Sequence, residues 1–256
     1  MKKNTFSYYY NLIRELSWAD FKLKYYGSIL GLFWSFLKPF LMLLILYIVF
    51  NYFLKAGIKN YHIYLLLGIA IWNFFADGTK SSLQSILSKK NILQKINLSP
   101  TAVVISAIVH SFWTFIITLI IFFILFFFLG FTLDLNAFLL LYFVILSFFL
   151  VLGVSFLITP LYMKFKDFEH IWDVFLQMLF WATPIVYSQA NVPQKFLRWY
   201  MLNPVTRIIA DARDTVIYHS FPDLKQLFFT TIIVLVIFIT GFLIFKKYSR
   251  QLIENL

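Results

Sequence analysis

The chain has no cysteine among its 256 residues. That excludes disulfides, a thiolate nucleophile and any cysteine–zinc centre. Charge is also scarce: Asp, Glu, Lys and Arg make up 13% of the chain, against about a quarter in a soluble domain. With 61% hydrophobic residues and a mean hydropathy of +0.82, the composition is that of an integral membrane protein. His62, His110, His170 and His219 are scattered, with no HExxH and no pair at i, i+4, so no metal site can be argued. A phosphate-cradling G-x-x-x-x-G-K-[ST] loop is missing too. Its nearest approach, "ADGTKSS" at 76–82, lacks the second Gly beside the Lys. The opening MKKNTFSYYY leads into no short apolar run with a small-residue cleavage site, and is not read as a signal peptide.

What remains is apolar helix. A span needs about 20 apolar residues to cross ~30 Å of hydrocarbon. The candidates are 30–54, 61–85, 102–129, 136–161, 168–188 and 224–245, within a single domain over 1–256. The expected fold is an all-α integral membrane protein with six transmembrane helices. The net charge of +11 reads as basic loops and headgroup-facing ends rather than as a nucleic-acid surface. With the N-terminus inside, Lys2, Lys3, Arg14, Lys22, Lys24, Lys38, Lys80, Lys89, Lys90, Lys95, Lys164, Lys166, Lys246, Lys247 and Arg250 are cytoplasmic, 15 of the 22 Lys and Arg. Both termini are therefore placed in the cytoplasm.

Three segments are not spans. In 6–26, Tyr9, Leu12, Leu16, Ala19, Leu23 and Tyr26 recur at helical steps, and Arg14, Trp18 and Lys22 form a second stripe. The pattern predicts an interfacial amphipathic helix lying among the headgroups, with Asp20 interrupting its apolar face. The basic stretch 85–100 is either a solvated connector or a cytoplasmic helix docking on a partner. The third, 193–218, is too long for a tight turn and too polar for two spans. It reads as two short re-entrant helices, 193–203 and 205–218, separated at Pro204. On the second, Arg207, Asp211 and Asp214 share the polar face. Arg213 falls with Val205, Ile209 and Val216 on the side to be buried. A charge there is expensive unless paired. Two readings stand: an arginine snorkelling to the headgroups, or one that holds an external gate through backbone carbonyls or an acidic partner.

Glu169 and Asp173 lie one turn apart, among Lys164, Lys166 and Asp167. They fit a charge-paired helix entrance better than a catalytic carboxylate pair, which leaves a membrane-embedded transferase as the weaker rival. Aromatics make up 21%, with 33 Phe. Tyr9, Trp18, Tyr25, Tyr26, Trp34 and Trp72 suit a lining for an amphipathic ligand, or equally an interfacial belt. Lipid-facing bulk accounts for the Phe excess.

Four stretches stand out in order: "LSWADFKLKYYGSILGLFWSFLKPF" (16–40), "GIAIWNFFADGTKSSLQSILSKKNILQK" (68–95), "LYMKFKDFEHIWDVFLQMLFWATPIVYS" (161–188) and "LNPVTRIIADARDTV" (202–216). Together they resemble the membrane subunits of ABC-2-type polysaccharide exporters, the O-antigen, capsule and teichoic-acid group. The resemblance implies a homodimer in a bacterial inner membrane and two copies of a separate ABC ATPase, which holds the ATP and Mg. No cofactor is expected on this chain. It also implies a lipid-linked polysaccharide moved outward through the dimer centre; a small molecule or lipid is the alternative cargo. Lacking a phosphate loop, the chain must couple to that ATPase, and Lys89, Lys90, Asn91, Leu93 and Lys95 are the expected coupling residues. Pro204, Arg207, Asp211, Arg213 and Asp214 are the expected gate. Helices packed 8–10 Å apart leave no lumen, so a glycan path on grounds of size also asks for two subunits.

Overall fold

The computed structural model describes residues 5–31, 33–53, 57–95 and 98–254. These residues form α1 (Thr5–Tyr25), α2 (Phe33–Tyr47), α3 (Tyr61–Ser88), α4 (Lys90–Lys95), α5 (Pro100–Phe128), α6 (Leu139–Lys164), α7 (Phe168–Trp181), α8 (Gln194–Tyr200), α9 (Pro204–Val216) and α10 (Leu224–Glu254). A π-helical turn, Ile48–Phe53, extends α2, and 3₁₀ turns at Leu135–Phe138 and Gln189–Asn191 lead into α6 and α8.

Helix α3 is the axis. Leu65, Leu66 and Leu67 are consecutive and nearly fully buried, which no single helix face can provide; such a helix is enclosed by others. It packs against α2, α5, α6, α7 and α9. Directions follow from side-chain contacts. Ser111 bonds Ser81 at 3.4 Å while Phe115 stacks on Phe74 at 4.9 Å, so α5 runs antiparallel to α3. Thr159 donates to the Ser82 carbonyl and Phe148 lies on Phe74, so α6 runs parallel to it. α10 runs parallel to α6. These two approach closely at a pair of glycines: a Cβ on Gly153 would lie 2.7 Å from the Phe238 backbone, and one on Gly241 would strike the Gly153 carbonyl. Small residues allow this backbone approach where lipid gives helices no hydrophobic reason to associate.

Three described helices, Pro100–Phe128, Leu135–Lys164 and Leu224–Ser249, are long and apolar enough to cross a membrane. The 28-residue α3 is long enough but carries Asn73, Asp77 and Lys80. Helix boundaries move by a few residues from those expected, most for α10, which continues to Glu254.

Four expectations need correction. The helix expected over 168–188 stops at Trp181 after 14 residues, or about 21 Å, short of the ~30 Å of a bilayer core. The cytoplasmic helix expected over 85–100 is only Lys90–Lys95, because 85–88 complete α3. On α1 the side packed inward carries Ser17, Asp20 and Phe21, whereas Tyr9, Leu23 and Tyr26 face outward. Asp20 is therefore no interruption of the packed face but part of it. Finally, the Phe excess is only partly outward bulk: Phe74, Phe122, Phe126, Phe143, Phe156 and Phe245 are among the largest fully buried side chains.

Candidate functional site

Pro184 has no N–H to donate and disfavours helix in the residue before it. α7 accordingly ends just short of it, with Thr183 turning its hydroxyl back to the Leu179 carbonyl at 2.7 Å. The next residues, 183–187, run as irregular backbone, yet Thr183, Ile185 and Val186 are fully buried. Buried carbonyls without helix partners must find donors elsewhere. They find them on α3 and α9. Arg213 donates from Nη1 to Pro184 O and from Nη2 to Ile185 O at 2.8 Å. Tyr61 donates its hydroxyl to Val186 O at 2.6 Å, and Tyr64 to Tyr187 O at 2.9 Å. Four successive carbonyls are thus held by three side chains.

Arg213 sits in the last turn of α9 and is 2% exposed. Its Nε donates to Tyr64 O at 3.0 Å, and its guanidinium lies 3.4 Å from the centre of the Tyr64 ring. The planar fork spans acceptors on two segments while its face rests on an aromatic, which a lysine cannot do. Gly68, one turn on from Tyr64, leaves the room: a Cβ there would collide with Nη2 and lie 3.0 Å from Cζ. α9 is aimed at this contact by its start, where Asn203 caps Val205 N–H at 3.0 Å and Pro204 occupies the first turn. The Asn203 amide also bonds the Thr183 hydroxyl at 3.2 Å. Of the two sequence readings for Arg213, snorkelling does not occur, and no carboxylate pairs with it among the described residues.

The rest of the expected gate divides. Arg207 donates to Met201 O at 2.7 Å and lies over the Phe229 ring. Asp214 is exposed. Asp211 is not on a polar surface as expected: it is 7% exposed and its Oδ2 has no partner. Burial, with Asp214 adding to it, raises the Asp211 carboxyl to about 6. Tyr61, Tyr64 and Gly68 were not singled out from the sequence, although Tyr61 and Tyr64 at i, i+3 beside Gly68 on one helix are a visible signal.

A second feature runs along α3 and α7. Gln84 donates to Glu169 at 2.5 Å, Lys80 pairs with Asp173 at 2.9 Å, and Trp172 donates to Thr79 at 3.2 Å. Further along, Asn73 and Gln177 line one groove with Trp72, Phe180 and Trp181. Asp173 is thus ion-paired with Lys80 and Glu169 accepts from the neutral Gln84 amide, so both are held by α3.

Among the expected coupling residues, Lys89 turns back to Asp20 of α1 at 2.5 Å. Leu93 is buried, Lys90 half-buried, and Asn91 exposed beside Ile92. Of the expected aromatics, Trp72 is buried in the groove and Trp34 lines a neighbouring cavity near Lys38. Tyr9 and Tyr26 are exposed, as is Trp18, with Lys22 over its ring. The side chains of Tyr25 and Lys95 lie outside the described residues.

Long apolar helices around an internal, polar-seamed one, with a broken helix fastened by an arginine, are the architecture of an integral membrane protein. The chain belongs to the ABC-2 type transporter family, whose model matches residues 11–217. Over nearly its whole length it is similar to polysaccharide export permeases. It is 27% identical to the O-antigen export system permease protein RfbA of Klebsiella pneumoniae, with 99% of this chain and 98% of the relative covered. It is 22% identical to the protein of the same name from Myxococcus xanthus, covering 97% and 96%.

Proposed function

We propose that this chain is the membrane subunit of an ATP-driven exporter of a lipid-linked polysaccharide. It works as a homodimer in a bacterial inner membrane, crosses it six times with both termini in the cytoplasm, and has two copies of an ABC ATPase bound beneath. The ATP and Mg belong to that ATPase. The observation that carries the reading is the polar seam from Gln84–Glu169 through Lys80–Asp173 to Asn73 and Gln177, closed by Trp72 and Trp181. An apolar cargo gains nothing from such a wall. A sugar chain does, because its hydroxyls exchange hydrogen bonds while its C–H faces slide over indole rings. The 183–187 break and its arginine then form the outer closure of the path. Irregular backbone at membrane depth is tolerated where it is buried in protein or lines an aqueous cavity.

The test is ATP-dependent uptake by inverted vesicles holding this chain and its ATPase. A radiolabelled lipid-linked glycan should be taken up, and Asn73→Leu with Gln177→Leu should slow it about tenfold while ATPase activity persists. Equal uptake of the same lipid without its glycan would move the assignment to a lipid exporter.

A further inference from the structure

On α3, Asn73, Asp77, Ser81 and Gln84 recur at three- and four-residue steps, and on α5 so do Ser111, Thr114 and Thr118. Each set lies along one face of its helix. The two faces meet where Ser111 donates to Ser81 at 3.4 Å. Between them, the end of α1 and the start of α2 lies a recess of about 810 Å³, which every one of these residues lines. Trp34 stands on its α2 side. Phe74 and Phe115, stacked at 4.9 Å, give it an apolar wall, with Phe148 packed on Phe74. Met42 and Asn73 line both this recess and the groove of Trp72, Gln177 and Trp181. Lys80 and Gln84 belong to it and to the α3–α7 seam. Recess and seam are therefore two sides of one polar stripe on α3.

The charges of the recess are taken up among themselves. Lys80 is held by Asp173 at 2.9 Å, and Lys24 and Lys38 both act on the Asp77 carboxylate. Most of what else lines the space is neutral: hydroxyls, amides and aromatic rings. On α5, His110 is 7% exposed and its Nδ1 has no partner among the described residues, nor has the Thr114 hydroxyl one turn away. Both residues line the recess. Buried polar atoms without partners cost free energy. A ligand hydroxyl both donates and accepts, so it satisfies either kind.

We propose that this recess is a second sugar subsite, which takes an uncharged sugar unit of the glycan before it reaches the seam. The ring rests on Trp34, and its hydroxyls exchange hydrogen bonds with Asn73, Asp77, Ser81 and Gln84. Sugar rings suit such a wall because their C–H faces pack on an indole while their rims stay polar. A lipid chain would leave the polar stripes of α3 and α5 unpaired, and a small anion would leave the aromatic side unused. The volume falls in the range of ordinary ligand pockets. This subsite presupposes the polysaccharide cargo proposed above.

The experiment places a single cysteine in the recess, Ser81→Cys, or in the seam groove, Gln177→Cys, of the full-length chain in nanodiscs. The absence of native Cys leaves no background. The rate of alkylation by N-ethylmaleimide is measured with and without the lipid-linked glycan of the host strain, and with the same lipid lacking its glycan. The glycan should slow alkylation at both positions, and the bare lipid should not slow it at Ser81→Cys. Trp34→Ala should raise the glycan concentration needed for half-protection at Ser81→Cys about fivefold. Trp34→Phe should keep most of the protection and Lys38→Gln all of it. The rate without glycan shows whether each variant is folded. Protection at Gln177→Cys but not at Ser81→Cys overturns the subsite and leaves the polysaccharide cargo standing. Protection at neither overturns both. A loss in Lys38→Gln as large as in Trp34→Ala, or protection of Ser81→Cys by the bare lipid, overturns the subsite and reassigns the recess to an anionic headgroup.

Discussion

Arg213 is affordable in this interior because every one of its contacts is an acceptor that the fold itself left over. Breaking the α7 helix before Pro184 creates unpaired carbonyls, and the guanidinium answers two of them together with Tyr64 O. Removing the guanidinium leaves the buried Pro184 and Ile185 carbonyls without donors, at about 1–3 kcal/mol each. Arg213→Ala should therefore lower the thermal unfolding midpoint strongly, and hydrogen exchange at 185–187 should lose its protection. Arg213→Lys should recover only part, since one ammonium cannot span two segments. Gly68→Ala gives the independent check: it leaves the arginine in place but fills its seat, and should resemble Arg213→Lys. A Gly68→Ala protein as stable as the parent would mean that the guanidinium does not need this position. Asp211 is the opposite case, a buried carboxylate with an oxygen left unpartnered. With its carboxyl raised to about 6, the folded state holds a proton that the unfolded state has already released. Its contribution to stability is present below the ordinary carboxylate range and falls as pH rises through about 6. Asp211→Asn should thus raise the unfolding midpoint at pH 8 and leave it nearly unchanged at pH 4, and a shift of equal size at both would sink the argument.

At the scale of elements, the short α4 matters through what it holds. Lys89, just before it, reaches Asp20 in the C-terminal part of α1, and on the proposed function a push on α4 would reach α1 through this pair. Reversing Lys89 and Lys90 together should uncouple ATP hydrolysis from export, and Asp20→Lys added to Lys89→Glu should restore part of it. Without that restoration, Lys89 would be acting on the ATPase rather than on α1. This pair was hidden in the sequence because Asp20 and Lys89 are far apart in it and each sits in a charged stretch of ordinary appearance. The helices α5, α6 and α10 were legible as long apolar runs, and the buried side of α9 was legible because 100° per residue puts Arg213 with Val205, Ile209 and Val216. What Arg213 bonds was not, since its acceptors are backbone carbonyls and every residue has one. The short α7 was missed for a related reason. "MLFWATPIVYS" is apolar throughout, and hydropathy does not distinguish helix from buried extended chain; Pro184 was the available sign. On α1, an outward apolar face and an inward one share the same period. Only the contact with α5 tells them apart.

For the whole molecule, the contacts that set helix directions also sort its charges. α3, α6 and α10 run one way and α5 and α7 the other, so the ends of α3 and α6 and the starts of α5 and α7 gather at one end of the bundle. Lys80, Lys89, Lys90, Lys164 and Lys166 collect there, with Lys246 and Lys247 of α10. Lys59, Lys195 and Lys225 lie on the segments at the other end. Basic loops stay in the cytoplasm; on the orientation proposed above the first end is the cytoplasmic one, which puts the Arg213 contact in the outer half. The α7 break is what makes this arrangement testable. A 14-residue helix crosses only if residues 183–188 complete the passage; otherwise α7 turns back, and Gln194 stays on the same side as Lys164. Cysteine scanning separates the two, and the absence of native Cys leaves no background. Single cysteines at Lys59 and Gln194 should react with an impermeant maleimide in intact cells, and those at Lys90, Lys164 and Arg250 only after the membrane is opened. Labelling at Lys59 without labelling at Gln194 would mean that α7 and the segment after it do not cross, and the arginine would then be fastening a loop on the cytoplasmic side.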